Sequence, residues 1–286
     1  MKVQAEVVSN QKAGPDIYLL RLLAPGPARR VRPGQFFMLR TGPGPEPLLA
    51  RPFSAHGVEL DQVLILYRVV GRGTSLLSRA QAGAGLTLWG PLGRGFDLEA
   101  SRPLLVAGGM GHAPLAFAAQ VLEAGGKKAV YLSGGSTREV IEPLEDQLRS
   151  RLRYGLADDL GPFLEADPDA TGSDQTPRPC VAKATSTEDG SLGKKGLVTE
   201  LLADILSAYP ERFDNVIACG PVAMLKAVIR ACPETQVSCQ VSLEAPMACG
   251  LGACLGCAVP AQGGGYVRAC QEGPVMDAAQ VDWERI

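Results

Sequence analysis

Four cysteines near the C-terminus, Cys249, Cys254, Cys257 and Cys270, are spaced C-x4-C-x2-C-x12-C. The first three match the loop spacing that wraps a [2Fe–2S] cluster. Such a cluster needs four thiolates converging on two irons. A short loop delivers three of them only if its backbone turns sharply, and Gly250, Gly252 and Gly256 permit this because glycine reaches positive φ without a Cβ clash. The small Ala253 leaves room for backbone N–H groups to approach the sulfurs. Zinc is a competing reading, but its sites usually come as separated C-x2-C pairs, and only Cys254 and Cys257 form one. Disulfides are another; they suit small secreted chains, whereas this chain is long and carries four further cysteines at 180, 219, 232 and 239. The spacing favours iron–sulfur, and a cluster so placed means electron transfer.

Other segments carry chemistry only in combination. In Arg51-Pro52-Phe53-Ser54 an arginine at a strand edge can grip a phosphate bidentately, and the Ser54 hydroxyl can address the edge of a flavin ring. Alone, this pattern also arises by chance. It is followed by Tyr67-Arg68-Val69 and then Gly73-Thr74-Ser75, which opens a short helix expected over 74–79. N–H groups and hydroxyls at a helix start attract anions. Tyr67 is either a ring for a cofactor to pack on or an ordinary barrel-surface aromatic; Gly71–Gly73 is either a binding turn or a hairpin. Further on, Gly108-Gly109-Met110-Gly111 joins a buried strand to a helix, letting a phosphate or nicotinamide approach the backbone, although it is not a GxGxxG fingerprint. Cys219-Gly220-Pro221 ends a second strand, and in an open α/β sheet two such strand ends share a crevice. Of the two histidines, His56 and His112, the latter falls in the glycine turn, where packing or capping is its expected role. Asp158-Asp159 and Glu188-Asp189 are candidates for a ribose diol or a divalent metal, or are simply solvated.

The elements that must hold these residues divide the chain in three. Residues 1–98 show short apolar runs (17–22, 35–39, 63–67) between Gly/Pro turns, the pattern of a small β-barrel. Residues 99–236 alternate strands (104–107, 129–132, 215–219) with helices (141–152, 198–207, 221–230), as in a Rossmann-like parallel sheet. A stretch rich in Asp, Gly, Pro, Ser and Thr from 157 to 195 is expected to form a long polar loop, with an insertion at about 160–187. Residues 237–286 form the small cysteine region. At 286 residues the chain is long enough for two or three cores. Its net charge of −2 and lack of a basic stripe argue against nucleic acid. Pro103 to Leu122 has no charged residue, but it reads as strand, glycine turn and helix rather than a membrane span. The start, Met1 to Val8, alternates like a strand and lacks an apolar signal core. A cytoplasmic protein with reduced thiols is expected.

Taken in order, these motifs resemble the electron-transfer subunits of type B dihydroorotate dehydrogenase, within the ferredoxin–NADP reductase-like flavoproteins. Arg51-Pro52-Phe53-Ser54 and Gly73-Thr74-Ser75 look like that family's FAD motifs, and Gly90-Pro91-Leu92-Gly93 like the turn closing its FAD barrel. Gly108–Gly111 and Cys219-Gly220-Pro221 look like its NAD-side loops, and Asp189–Gly196 like its acidic loop. The four cysteines, with the exit Tyr266 to Val275, are similar to its cluster ligands and are the specific part of the match. The resemblance implies an N-terminal FAD-binding β-barrel, a Rossmann-like NAD-binding domain and a C-terminal [2Fe–2S] domain. It further implies an FMN-containing dihydroorotate dehydrogenase partner in a heterotetramer, working in pyrimidine (UMP) biosynthesis. The stretch at about 160–187 departs from the family pattern.

The chemistry points the same way without the resemblance. NADH gives two electrons as hydride, a cluster takes one at a time, and a flavin does both, so it must sit between them. No acid, base or nucleophile for an organic substrate stands out, so the chain is expected to be a relay with no catalytic residue of its own. Rival readings are a FAD/[2Fe–2S] subunit serving a hydrogenase, a sulfide-linked system or an electron-bifurcating transhydrogenase; a zinc-stabilised interaction module; and a free-standing NADH oxidase or diaphorase.

Overall fold

The computed structural model describes residues 1–40, 48–153, 156–157, 160–161, 180–232 and 237–286. They form two compact units. One comprises 1–96, 113–117 and 240–286; the other comprises 97–112 and 118–239.

The first unit begins with β1 (Lys2–Gly14), β2 (Ile17–Leu23), the single turn α1 (Pro25–Ala28), β3 (Phe36–Arg40), β4 (Arg51–Ser54), β5 (Gly57–Glu59) and β6 (Gln62–Arg68). The short helix α2 (Arg72–Leu77) and β7 (Gly85–Leu92) complete it. The strands make one antiparallel sheet in the order β4-β3-β7-β1-β2-β6-β5. β4 also touches β6, so the sheet curls toward closure and leaves fewer open edges. Alternate residues point inward and share a single core built on Val7, Leu20, Leu22, Phe37, Leu39, Val63, Ile65 and Leu88.

The second unit holds β8 (Pro103–Gly108), a 3-10 turn at Gly109–Gly111, α3 (His112–Ala124), β9 (Ala129–Gly135), α4 (Arg138–Arg149), β10 (Leu156–Ala157), β11 (Val181–Thr187) and β12 (Lys194–Lys195). It continues with α5 (Val198–Ala208), β13 (Asn215–Cys219) and α6 (Val222–Ala231). Residues Ala113–Phe117 of α3 group with the first unit. The strands β10-β11-β9-β8-β13 are parallel neighbours. β8 and β13 are buried at every residue, which is why each reads as an unbroken apolar run, as buried parallel strands do.

β11 corrects the expectation of a polar loop over 157–195. Val181-Ala182-Lys183-Ala184-Thr185-Ser186-Thr187 pairs with β9 along its length, and most of it is buried. Its Lys183 and Thr185 read as loop residues because their buried partner, Glu145 on α4, lies 38 and 40 positions away. The core of the expected insertion, and Asp158-Asp159, lie outside the described residues.

The chain then passes through β14 (Ser238–Ser242), β15 (Ala258–Pro260), β16 (Tyr266–Arg268) and β17 (Val275–Asp277). β14 pairs antiparallel with β17, and β15 with β16. From Gln240 onward this segment belongs to the same unit as the β1–β7 sheet. Among the described residues, no helix is long and apolar enough to cross a membrane.

Candidate functional site

The cysteine loop runs from Cys249 to Cys257 between β14 and β15, and Cys270 follows β16. Gly250 and Gly252 have φ of +67° and +76°, the left-handed turns that only glycine makes cheaply. A Cβ on Gly250 would sit 2.5 Å from Met38 Cγ, so the loop lies directly on the barrel strand β3. The exit hairpin pins it from the other side. Arg268 donates to the Gly252 carbonyl at 3.3 Å and Gln271 to the Leu251 carbonyl at 2.9 Å. Arg268 is itself held by an ion pair with Glu272.

Within this cradle the thiols act on one another: Cys254 helps to lower the Cys249 thiol, and Cys257 helps to raise that of Cys270. A backbone N–H points at one of the sulfurs: Leu251 donates to Cys249 Sγ at 3.3 Å. The Leu251 N–H foremost, with that of Cys254, pulls the Cys249 thiol down to about 6. Burial first, then Cys257, pushes the Cys270 thiol up to about 11. Among the described residues, no three or more His, Cys, Asp or Glu side chains close around one ion. One loop that carries three cysteines in C-x4-C-x2-C spacing suits two irons better than the separated C-x2-C pairs of a tetrahedral zinc site. The set fits a [2Fe–2S] cluster.

On the sheet of the same unit, the structure brings Arg51 and the Gly73 turn together. A Cβ on Gly73 would lie 3.2 Å from Arg51 Nε, so glycine there lets the guanidinium cross the helix start. Arg51 also donates to the Leu49 carbonyl at 2.6 Å. Pro52, Phe53 and Ser54 continue β4, each half-buried. The helix expected over 74–79 begins earlier, at Arg72. Thr74 turns its hydroxyl inward: it accepts from the Val70 and Gly71 N–H groups and donates to the Gly71 carbonyl. Ser75 follows, half-buried. Arg68 ends β6, Val69 follows it, and both are half-buried too. Tyr67 is 2% exposed and is a core residue rather than a barrel-surface aromatic. Its ring packs on Tyr18 and Phe53, its hydroxyl donates to Asn10 at 3.1 Å, and burial pushes its pKa up to about 12.

In the second unit, the adjacent ends of β8 and β13 bring Gly108, Gly109 and Gly111 against Cys219, Gly220 and Pro221. A Cβ on Gly111 would be 1.9 Å from the Cys219 carbonyl oxygen, and one on Gly220 would be 3.3 Å from Gly108 Cα. No side chain beyond hydrogen fits between these two turns. Gly109, at φ +51°, faces open space. Cys219 is 3% exposed. In the acidic loop, Asp189 accepts from the Ser191 N–H and hydroxyl. These bonds hold its carboxyl below the usual range. Ser191 in turn accepts from the Arg138 N–H at 2.7 Å, clipping the loop to the start of α4.

Sequence reasoning missed two things here. Met224 of α6 fills the space over Gly108 and Gly220, where added Cβ atoms would meet it at 2.4 and 2.6 Å. Its helical position after the Cys219 turn was the available signal. A buried polar chain under the glycine turn, involving Tyr131, Ser133, Glu145 and Lys183, was also unforeseen; its members come from three elements and share no sequence pattern.

A family model described as the iron-sulfur cluster binding domain of dihydroorotate dehydrogenase B matches residues 244–282, the segment that contains all four of these thiols. The chain is 36% identical to the "Dihydroorotate dehydrogenase B (NAD(+)), electron transfer subunit" of Desulforamulus reducens, covering 98% of each chain. It is 35% identical to the protein so named in Caldanaerobacter subterraneus subsp. tengcongensis, again over 98% of each. The chain belongs to this family. As a dihydroorotate dehydrogenase B electron-transfer family member, it is an electron-transfer component of an oxidoreductase. Its fold is ferredoxin-reductase-like: the structure of an NADH-dependent reduced ferredoxin–NADP oxidoreductase, studied for flavin-based electron bifurcation, superposes with a TM-score of 0.76 at 26% identity. That match covers 99% of this chain and 91% of the other.

Proposed function

We propose that this chain carries electrons from an FMN-containing dihydroorotate dehydrogenase subunit through a [2Fe–2S] cluster and FAD to NAD+. The observation that carries the reading is the cysteine cradle, with its glycine turns and the Leu251 N–H on Cys249, resting on the barrel strand β3. FAD supplies the exchange between hydride and single-electron transfer. Arg51, Pro52, Phe53, Ser54, Tyr67, Arg68, Val69, Gly73, Thr74 and Ser75 line its site, with Arg51 opposite a phosphate. Gly108, Gly109, Gly111, Cys219, Gly220 and Pro221 receive NAD. Cys249, Cys254, Cys257 and Cys270 hold the cluster. The contact surface for the partner is the cysteine segment, where Leu251 and Leu255 of the loop stand exposed; exposed large apolar side chains favour a protein interface. The cysteine region from 237 is a functional domain of its own in this reading. The assembly is a heterotetramer of two copies of each subunit, in the cytoplasm, where thiols stay reduced.

The test is isolation under anaerobic conditions followed by assay of dihydroorotate-dependent NAD+ reduction. Activity that requires a co-purifying FMN subunit supports the reading. Intact flavin and cluster spectra with no such activity would move the partner to another pathway. The similarity to the bifurcating oxidoreductase favours a second reading, a subunit of an electron-bifurcating transhydrogenase. In that case reduced ferredoxin and NADP+, not dihydroorotate, support turnover.

A smaller prediction concerns Arg51. Arg51→Ala is expected to weaken FAD binding by about 10-fold or more, the scale of one charge-assisted hydrogen bond. The measurement is flavin content after gel filtration at fixed protein concentration. Unchanged flavin content would remove Arg51 from the phosphate site.

A further inference from the structure

Beneath the glycine turn of the second unit lies a run of buried polar groups. His112, which follows Gly111, is fully buried. Its Nδ1 is 3.1 Å from Tyr131 Oη, and its Nε2 is 3.0 Å from Ser133 Oγ. The Ser133 hydroxyl also helps to lower the Glu145 carboxyl. Glu145 also accepts from Lys183 Nζ at 2.6 Å and from Thr185 Oγ1 at 2.5 Å. Tyr131 and Ser133 are on β9, Glu145 on α4, and Lys183 and Thr185 on β11. All of them are buried.

The direction of the bonds follows from the last acceptor. A carboxylate has no proton to give, and here the bonds from Lys183 and Thr185 outweigh the burial that would otherwise raise its pKa. Ser133 must therefore donate to Glu145. Its oxygen is left to accept, so His112 Nε2 must carry the proton, and Nδ1 accepts from Tyr131. Every donor points toward Glu145. Burial above all, with Glu145 opposing and Lys183 assisting, lowers the His112 pKa to about 4, which keeps the ring neutral as this pattern requires.

We propose that His112 is a positioning residue for the dinucleotide: the one-way chain ending on Glu145 fixes it as the Nε2–H tautomer and holds the Gly109–Gly111 turn in place. The turn needs such an anchor. Gly111 sits so close to Cys219 that a Cβ would overlap its carbonyl, and Gly109 at φ +51° is unrestrained by any neighbour on its open side. A ring bonded at both nitrogens fixes the residue next to that turn to β9, and through Ser133 to α4 and β11. This inference rests on the reading that NAD binds at Gly108–Gly111.

The test has one arm that needs no nucleotide. With only two histidines in the chain, 15N spectra of histidine-labelled holoprotein at pH 7 resolve both rings. His56 Nδ1 faces the Ala113 carbonyl at 2.9 Å and must donate to it, so His56 is expected as the Nδ1–H tautomer and His112 as Nε2–H. Tyr131→Phe should leave His112 as Nε2–H, because the direction is imposed from Glu145; Ser133→Ala should shift it toward Nδ1–H. A wild-type His112 found as Nδ1–H or as imidazolium would overturn the proposal. The other arm is stopped-flow reduction of bound flavin by NADH. Ser133→Ala is expected to raise the apparent Kd about 10-fold, the loss of one hydrogen bond's positioning, with the limiting rate within about twofold and flavin and cluster content unchanged. An unchanged Kd in Ser133→Ala, with saturable wild-type reduction, sinks the positioning role. If wild type shows no saturable reduction by NADH, the nucleotide reading fails instead, while the tautomer result still stands or falls alone. Should Ser133→Ala not fold, Tyr131→Phe with a flipped His112 tautomer is the result that refutes the chain.

Discussion

Cys254→Ser protein is expected to lose the visible absorption and electron paramagnetic signal of the [2Fe–2S] cluster while retaining its FAD. The substitution removes one of the four thiolates assigned to the cluster. The fold tolerates it, because the side chain is exposed and the loop is shaped by Gly250 and Gly252 and clamped by Arg268 and Gln271. Electron flow between flavin and partner should fall by more than about 100-fold, since even groups that only support a metal ligand are worth 10- to 100-fold. Reduction of FAD by NADH, which needs no cluster, should persist. The measurements are iron and acid-labile sulfide content, spectra, and parallel assays of NADH–flavin reduction and of turnover with the partner. A normal cluster spectrum in Cys254→Ser would overturn the ligand assignment; a colourless wild type containing zinc would overturn the cluster itself.

The same loop shows why some of this protein was legible in its sequence. Three ligands and their glycines lie within nine residues, so their spacing alone encodes the turn geometry. Cys270 arrives after one short hairpin, β15–β16, still within reach of a local pattern. β8 and β13 were legible for a related reason: strands buried on both faces are apolar throughout. The Gly108–Gly111 and Cys219–Pro221 turns were legible as turns, but not the 1.9 Å approach that makes Gly111 irreplaceable. That depends on two strands far apart in sequence lying side by side. Sequence alone leaves Tyr67 open between a ring for a cofactor and a barrel-surface aromatic, because its apolar run does not say what covers it; in the folded sheet Tyr18 and Phe53 pack on it. β11 was hidden most completely. A lysine inside a strand argues for solvent, and only a carboxylate delivered by another helix reverses that inference.

That buried pair carries the other large prediction. Lys183 and Glu145 are 7% and 6% exposed at their side chains, with Nζ and Oε2 2.6 Å apart. Lys183→Met leaves the Glu145 carboxylate buried with only the Thr185 and Ser133 hydroxyls. Breaking a buried pair from one side costs about 3–5 kcal/mol, which should lower the melting of the second unit by on the order of 10 °C. Glu145→Gln with Lys183→Met removes both charges, keeps an acceptor for Thr185, and should recover most of the loss.

The pH dependence distinguishes an uncompensated charge from a packing defect. In wild type the Glu145 pKa is lowered, so between its folded and unfolded values the unfolded chain binds more protons. The contribution of this group to stability is then complete above the unfolded value, near 4.5, and is lost as pH falls through the folded one. In Lys183→Met, burial is no longer opposed by the ammonium, and the folded pKa should rise above the unfolded one. The folded chain then binds more protons, and stability should fall as pH rises from about 4.5 toward neutrality. Referenced to the double variant, thermal melts from pH 3 to 7.5 should therefore show wild type flat above about 4.5 and losing stability only as pH falls below it, whereas Lys183→Met should lose stability as pH rises above about 4.5. Parallel slopes would mean that Lys183 serves packing alone and that Glu145 is not the fixed anion at the end of the His112 chain.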